Sequence, residues 1–250
     1  MIIREIQAKS ILNASKIHDY CVNPYTGCGV GCLYCYARLF IPRYSGHAEP
    51  WGTFVDAKVN APDVLRRQLK RAKPGNVWVS SVCDPYQPAE ERFGLTRRCL
   101  IELLEAGRPV LIQTKSARAL ADLDVIRRFP DAQVTFSIAT EDEAIARRFE
   151  PGASPVAERI AALARFHEAG IRTTAFIGPI LPGDPERLVG RLAGAIDEAL
   201  VDRMNYIHQV RGIYERLGLS AALTDAFFRE RGERYARALN RQGIGVQILF

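Results

Sequence analysis

Three cysteines stand within eight residues in the stretch "NPYTGCGVGCLYCYAR", at Cys28, Cys32 and Cys35. A structural zinc site takes four ligands and a disulfide takes two, so three thiols match neither requirement. A cubane iron–sulfur cluster carries a thiolate on each iron, and three protein thiolates leave one iron open to another ligand. The spacing C-x3-C-x2-C therefore predicts a [4Fe-4S] cluster with one exchangeable position.

Glycines 27, 29 and 31 alternate with the motif residues. They let the backbone fold tightly around inorganic sulfides and offer amide N–H groups to them. The alternative is a zinc knuckle in which His47 or Cys83 supplies the fourth ligand. No standard paired ligand spacing lies near the motif, and this favours the cluster.

The chain has 250 residues, of which 48% are hydrophobic and 25% charged. This composition is typical of a globular protein whose core needs no metal or disulfide. The sequence has neither a secretory N-terminus nor an apolar run of about 20 residues, which predicts a cytoplasmic protein without a membrane partner. In that reducing compartment, six cysteines indicate metal or redox chemistry. We expect one domain over 1–250, acting as a monomer.

Short continuous apolar runs alternate with helical patterns, as in a parallel sheet built from strand–helix units. Six such units predict the α/β class and a partial (β/α)6 TIM-type barrel with parallel strands over about 17–210. The alternative is a doubly wound sheet, because the order of the strands cannot be read from the sequence pattern. We expect a helical extension over about 211–250 with a final strand "GVQILF". The predicted strands are 18–23, 76–82, 108–114, 132–139, 171–178 and 204–210, and the predicted helices are 61–73, 96–106, 118–128, 155–169 and 184–200.

Polar residues follow the predicted strands where each strand ends. Asp84 follows the second strand, Lys115 the third, and Ser137 and Thr140 close the fourth. The carboxyl ends of parallel barrel strands gather at one face, where functional groups of such barrels lie. These residues are therefore predicted to share one site with the cysteines.

The cysteine motif resembles that of the radical S-adenosylmethionine (SAM) enzymes, in which an aromatic residue, here Tyr34, precedes the last cysteine. The resemblance implies a [4Fe-4S] cluster that binds SAM at its open iron and reductively cleaves it to a 5′-deoxyadenosyl radical. It also implies a reductant such as flavodoxin or ferredoxin. The segments "WGTFVDAKVNAP", "DPYQPAEERFGLTR", "TKS", "FSIAT" and "IGPILPG" are similar to those of the spore photoproduct lyase-related group.

The resemblance implies roles for single residues in binding SAM. Asp84, with Cys83 beside it, matches the position that binds the SAM ammonium group; its alternative is an Asx turn before proline. Lys115 suits the methionine carboxylate, and its alternative is an ordinary exposed lysine. Ser137 would bind the carboxylate or ribose, or else the backbone. Tyr34 would lie near the adenine, and the remaining cofactor-binding candidates are Tyr36 and Thr140.

Other residues have less settled roles. Glu150 and Arg159 resemble a pair of the family or form a simple salt bridge, while His208 and Gln209 are candidates to face the substrate or lie in the core. In the lyase, a cysteine three residues before the second-strand Asp returns a hydrogen atom to the product radical, and the resemblance places Ser81 at that position here. Strand alternation would put Cys83 on the same face as Ser81, which makes Cys83 a candidate hydrogen-atom donor; the alternative is that it is only a neighbour of the cofactor.

The substrate is the least determined feature. The net charge is +6, and most of the basic excess lies in the first half of the chain. Together with the group resemblance, this favours a nucleic-acid component as substrate for a lyase-like reaction. The alternatives are radical modification of a peptide or small metabolite, and an iron–sulfur protein without catalysis.

Overall fold

The computed structural model describes all residues 1–250 and shows a large, mostly parallel sheet. Its eight strands lie in the order β2, β3, β6, β7, β8, β9, β10, β11. Only the edge strand β2 runs antiparallel to its neighbour. The strands are β2 Leu12–Ala14, β3 Tyr20–Val22, β6 Val77–Val79, β7 Val110–Thr114, β8 Ala132–Ser137, β9 Arg172–Ile177, β10 Glu198–Val201 and β11 Gly245–Ile248.

The parallel strands follow one another in chain order from β3 to β11. A doubly wound sheet would reverse its order at a switch point, so this alternative is wrong. The sheet is open, with β2 at one edge and β11 at the other. The predicted partial barrel of parallel strands is thus confirmed, and the last strand pairs with β10 at the sheet edge.

The helices cover the outer face of the sheet and alternate with its strands. Glycines with positive φ end α4 and α7, at Gly107 and Gly170, as the two "EAG" sequences predict. Asp184 caps α8 by accepting hydrogen bonds from two backbone amides. The α-helices are α1 Ile41–Ser45, α2 Ala61–Leu69, α3 Glu90–Phe93, α4 Leu95–Glu105, α5 Leu123–Ile126, α6 Glu143–Phe149, α7 Val156–Glu168, α8 Pro185–Leu192, α9 Ile207–Arg216 and α10 Asp225–Arg241. No helix is both long and apolar enough to cross a membrane.

A separate three-stranded sheet was not predicted from the sequence. It consists of β1 (Ile2–Ile6), β5 (Phe54–Lys58) and β4 (Tyr25–Gly27), with β5 in the middle. It lies where the cysteine motif begins, because Cys28 directly follows β4. The small sheet therefore fixes one end of the motif loop.

The sixth parallel strand was predicted in the wrong place. The structure puts it at Glu198–Val201, which overlaps the end of the predicted helix 184–200, while the predicted strand 204–210 runs into α9. Helix α8 ends at Leu192, and Gly194 follows with φ +74°. A left-handed residue cannot continue an α-helix, and Glu198–Val201 then pair with both β9 and β11. His208 and Gln209 consequently lie on a helix. The division of the chain into one domain stays a prediction.

Candidate iron–sulfur and cofactor site

The cysteine motif is a tight loop held in place from two sides. Gly27 has φ +82°, and a Cβ there would lie 2.5 Å from the carbonyl oxygen of Phe54. A Cβ on Gly152 would lie 2.4 Å from the carbonyl oxygen of Gly29. Backbone hydrogen bonds also join the loop to the end of α6 and the segment that follows it: the Leu33 N–H donates to the Phe149 carbonyl oxygen at 2.9 Å, and the Gly152 N–H donates to the Val30 carbonyl oxygen at 2.9 Å. Only glycine permits these close approaches.

Gln87 holds the motif loop through its side-chain amide, a role that sequence reasoning missed. Its Oε1 accepts from the backbone N–H of Gly29 at 2.8 Å, and its Nε2 donates to the carbonyl oxygen of Gly27 at 3.4 Å. The side chain is fully buried. The signal in the sequence was a lone glutamine between two prolines, which by itself indicates only a turn.

The three motif cysteines line one cavity of about 610 Å³. All but one of the predicted cofactor-binding residues line the same cavity. Thr140 is the exception, because it is buried and its hydroxyl donates to the carbonyl oxygen of Pro182 at 2.8 Å. The predicted residues that the cavity brings together are Cys28, Cys32, Cys35, Tyr34, Tyr36, Cys83, Asp84, Lys115 and Ser137.

Of the two fourth ligands considered for zinc, His47 is engaged elsewhere, whereas Cys83 lines the same cavity as the motif cysteines. His47 is buried, and its ring nitrogens face Asp56 Oδ1 at 3.0 Å and Glu49 Oε2 at 2.8 Å. Cys83 Sγ donates to the carbonyl oxygen of Tyr25 at 3.6 Å. A three-thiol set with a nearby backbone donor, the Asp84 N–H at 3.3 Å from Cys28 Sγ, fits a cluster with an open iron better than zinc.

Asp84 forms an Asx turn and also joins two strand exits. Its Oδ1 accepts from the Tyr86 backbone N–H at 2.9 Å and from the Thr114 hydroxyl at 2.7 Å. Its Oδ2 accepts from the Lys115 backbone N–H at 2.7 Å. Burial raises the pKa of this carboxyl, and the three donors act in the opposite direction. A carboxylate has about four lone-pair sites, so one remains for a ligand cation.

Glu150 is the centre of a buried charged network. Arg159 Nη1 donates to its Oε2 at 2.7 Å, and the Tyr34 hydroxyl donates to its Oε1. Lys115 Nζ lies 4.0 Å from Oε1 and 5.7 Å from the centre of the Tyr34 ring. Arg159 also donates to the Ser137 carbonyl oxygen at 2.8 Å. The predicted pair of Glu150 and Arg159 is thus a salt bridge inside the site wall.

The charges of this network stabilise one another. Burial acts to raise the pKa of Glu150, but Arg159 and Lys115 outweigh it and the net direction is downward. Burial acts to lower the pKa of Lys115, and the nearby Cys32 and Glu150 reverse that effect. Lys115 therefore remains a cation beside the cavity, with 15% of its side chain exposed.

Cys83 does not continue the side-chain alternation of β6, so its predicted place on the face of Ser81 is wrong. Strand β6 ends at Val79, and Ser80 has φ +50°, a left-handed conformation that breaks the strand alternation. Cys83 nevertheless lines the cavity, with its sulfur near the Tyr25 carbonyl oxygen. Burial raises the pKa of this thiol to about 11, so it stays protonated. Its role as a hydrogen-atom donor stays a prediction.

The remaining candidates have clear positions. The Tyr36 hydroxyl donates to the Ser81 carbonyl oxygen, and Tyr36 is 38% exposed at the cavity rim. Ser137 is buried and its hydroxyl accepts a long hydrogen bond from Gln113 at 3.4 Å. His208 and Gln209 do not line the cavity, whereas Arg203 and Asn205 do.

An open parallel sheet whose strand exits surround a three-cysteine loop is the arrangement of radical SAM enzymes. A family model described as the radical SAM superfamily matches residues 22–194, so the chain belongs to this superfamily and is a radical SAM enzyme. The chain is similar in sequence to several known proteins and similar in fold to several solved structures.

An uncharacterised protein of Methanocaldococcus jannaschii is 35% identical over 75% of this chain and 72% of its own length. An uncharacterised protein of Mycobacterium tuberculosis is 30% identical over 76% of this chain and 61% of its own length. A radical SAM Nalpha-GlyT isomerase of Pseudomonas phage M6 is 26% identical over 68% of this chain and 36% of its own length. The chain thus spans only part of these relatives.

Two solved structures are similar in fold. Spore photoproduct lyase complexed with a dinucleoside spore photoproduct has a TM-score of 0.72 at 17% identity, over 99% of this chain and 82% of that chain. SuiB of Streptococcus suis, bound to its precursor peptide SuiA, has a TM-score of 0.62 at 15% identity, over 92% and 48%.

Replacing Gln87 tests the clamp on the motif loop. Gln87→Ala leaves the Gly29 N–H and the Gly27 carbonyl without their partner, at a cost of about 1–3 kcal/mol. We expect faster amide hydrogen exchange in a peptide covering 27–31 and less iron bound after reconstitution. Gln87→Glu keeps the acceptor for Gly29 and should give an intermediate result. Gln242→Ala, a change at an exposed glutamine, is the control. Unchanged hydrogen exchange in Gln87→Ala would refute the role of Gln87 in holding the motif loop.

Replacing Arg159 tests the buried network. Arg159→Met leaves Glu150 buried without its main partner, so we expect the free energy of unfolding to fall by about 3–5 kcal/mol. The double variant Glu150→Gln, Arg159→Met should lose less of the free energy of unfolding than Arg159→Met alone, because it leaves no buried charge without a partner. The exposed pair of Arg237 and Glu233, 3.4 Å apart, supplies the control Arg237→Met, which should change little. Urea unfolding under reducing, metal-free conditions measures all three, and equal effects of Arg159→Met and Arg237→Met would contradict the assignment.

Proposed function

We propose that this enzyme holds a [4Fe-4S] cluster on Cys28, Cys32 and Cys35 and binds SAM in the adjoining cavity. The observation that carries the proposal is that these three thiols share one cavity with Asp84 and Lys115. When bound, and given one electron by a reductant, the cluster and SAM would supply a 5′-deoxyadenosyl radical able to remove a hydrogen atom from the substrate.

The charged residues of the cavity match the two charged ends of an amino acid. The Lys115 ammonium would bind the methionine carboxylate, and the free lone pair of Asp84 would accept from the methionine ammonium group. Both side chains are held by neighbours before any ligand binds, Asp84 by three donors and Lys115 by Glu150. This lowers the cost of ordering them on binding.

Neutral residues complete the cofactor site. Ser137 carries a hydroxyl at the end of β8 and would bind the carboxylate or the ribose, while Tyr34 and Tyr36 would border the adenine. The buried Tyr34 is fixed by its hydrogen bond to Glu150. Thr140 stays in this proposal only as a residue that positions the loop before α6, because its hydroxyl accepts from the Asp142 backbone N–H at 3.2 Å.

The substrate proposed first is a nucleic-acid component. Support comes from the net charge of +6 and from the fold likeness to spore photoproduct lyase, whose structure contains a dinucleoside photoproduct. A peptide is the second candidate, supported by the likeness to SuiB bound to its precursor peptide. The same proposal includes a lyase-like reaction, flavodoxin or ferredoxin as reductant, a monomeric state and a cytoplasmic location.

Cysteine variants test the cluster. Cys28→Ala, Cys32→Ala and Cys35→Ala should each abolish the four-iron cluster after anaerobic reconstitution, because each removes one of three ligands. Cys21→Ala and Cys99→Ala are the matched controls and should retain it. Iron and sulfide analysis with electron paramagnetic resonance of the reduced protein measures the cluster, and 5′-deoxyadenosine release measures SAM cleavage. Wild-type protein that takes up one zinc and little iron would refute the proposal.

Lys115→Met tests SAM binding with less disturbance than a change at Asp84, because Asp84 also accepts hydrogen bonds from three protein donors. The change removes a charged hydrogen bond, so we expect SAM affinity to fall by about 10- to 150-fold while iron content is unchanged. Isothermal titration of the reconstituted, unreduced protein measures the affinity. The exposed Lys9→Met is the control, and equal affinities in the two variants would show that Lys115 is not a SAM ligand.

A further inference from the structure

The motif loop separates two depressions of the molecule. On one side, the motif cysteines line the cavity of about 610 Å³ that is proposed to hold SAM. On the other side lies a second depression of about 450 Å³, which includes Pro88 and Gly152 and shares no lining residue with the first. The Gly152 N–H donates to the Val30 carbonyl oxygen at 2.9 Å, and a Cβ on Gly29 would lie 3.4 Å from Pro88 Cδ. The lining of the second depression therefore contacts the motif loop directly.

The outer face of the motif loop is open to a large partner. The cavity side is where SAM and the substrate would bind, so a protein that approached from there would compete with both for the same space. On the outer side, all nine residues that line the second depression are Pro, Ala, Gly or Ser except Arg118 and Glu158. Short side chains let the surface of a partner come close to the backbone that carries the cysteines.

Three arginines surround the place where the motif loop meets the end of α6. Arg38 Nη1 donates to the Leu33 carbonyl oxygen at 2.7 Å, and the Leu33 N–H donates to the Phe149 carbonyl oxygen at 2.9 Å. Arg147 and Arg148 directly precede Phe149 in the last turn of α6, and both are exposed. None of the three arginines forms a salt bridge. We call Arg38, Arg147 and Arg148 the arginine patch.

The arginine patch is the source of positive charge on this face. Within the second depression the charges offset one another, because Arg118 Nε lies 2.5 Å from Glu91 Oε1 and Glu158 adds a further carboxylate. Exposed charges without partners act mainly on the rate at which an oppositely charged molecule arrives. The outer face of the motif loop is thus suited to an acidic partner.

We infer that the arginine patch and the adjoining depression form the docking surface for the protein that reduces the cluster, a small acidic one-electron carrier. This inference rests on the proposed function for the presence of the cluster. At this step the carrier loses one electron and the cluster gains it, and no bond forms or breaks. Interfaces of electron-transfer proteins are small and short-lived, which fits a shallow depression with charges beside it.

A nucleic acid would also be attracted to three arginines. Bound only at the arginine patch, however, it would lie on the side of the motif loop away from the proposed SAM site. The carrier has no such difficulty, because it must approach the cluster and not the substrate. The position of the arginine patch therefore favours the carrier.

Reversal of two charges on α6 tests the docking surface. The double variant Arg147→Glu, Arg148→Glu changes two exposed side chains and leaves Arg38, which holds the motif loop, in place. The matched control is Arg127→Glu, Arg128→Glu, because these exposed arginines stand in the same sequence, "RRF", directly after α5. Both double variants change the net charge equally.

The measurement is the rate at which reduced flavodoxin reduces the reconstituted cluster, followed by anaerobic stopped-flow absorbance and electron paramagnetic resonance. At low salt we expect this rate to fall about 10-fold or more in Arg147→Glu, Arg148→Glu and to stay unchanged in the control, since electrostatic steering changes association rates by about 10- to 1,000-fold. At about 1 M salt, where the screening length is about 3 Å, the difference should nearly vanish. Reduced methyl viologen, a small cation, should reduce the cluster of either double variant at least as fast as that of the wild type.

Two results would overturn the inference. One is an equal flavodoxin rate in wild type and Arg147→Glu, Arg148→Glu, or equal slowing in both double variants. The other is loss of binding to a single-stranded oligonucleotide in Arg147→Glu, Arg148→Glu while flavodoxin reduces the cluster as before, which would assign the arginine patch to nucleic acid. Failure of the proposed function would instead appear in the wild-type protein before any reductant is added, as absent iron or absent SAM binding.

Discussion

The site depends on one buried carboxylate, that of Glu150. A buried charge is stable only when partners replace the water it has lost. Glu150 finds them on three separate parts of the chain: Tyr34 in the motif loop, Lys115 at the exit of β7 and Arg159 on α7. Because the carboxylate must satisfy all three, it sets the position of each relative to the others.

Polar bonds also connect the Glu150 network to the ends of the sheet strands. Arg159 donates to the Ser137 carbonyl, so α7 is tied to the end of β8. Asp84 similarly joins the exit of β6 to that of β7 through Thr114 and Lys115. Three neighbouring strands thus end in a set of mutually bonded polar groups. Parallel strands bring these ends to one face, and the polar bonds decide which side chains remain free to face a ligand.

The sequence allowed prediction of the features that depend on local pattern. The three cysteines, the parallel strands β3, β6, β7, β8 and β9 and the polar residues at strand exits are all contiguous signals, and the cavity does bring the cysteines together with Asp84, Lys115 and Ser137. The failures have physical causes. Strand β10, Glu198–Val201, has only four residues, which is too short to stand out in the sequence beside a helical pattern. Gln87 acts through partners about 60 residues away. Glu150 was considered only together with Arg159, and its bond to Tyr34, 116 residues away, was not foreseen because no local pattern indicates it.

The left-handed turn at Ser80 also escaped prediction, because a serine seldom adopts positive φ without a strong tertiary requirement. Its effect is to lead the chain out of β6 so that Asp84, not the next residue of an extended strand, meets Cys28. Alternation along a strand therefore cannot be carried past a strand exit, where the functional residues lie.

The open sheet leaves the cavity accessible from the side. Ile17 and His18, just before β3, and Leu249, just after β11, line the same cavity although they belong to opposite ends of the parallel array. The sheet must therefore curve until its two ends face each other across a gap. Ile17 is 73% exposed and Leu249 44% exposed, so the gap has an apolar rim open to solvent. A closed barrel would restrict access to its ends, whereas this gap opens the cavity to solvent from the side.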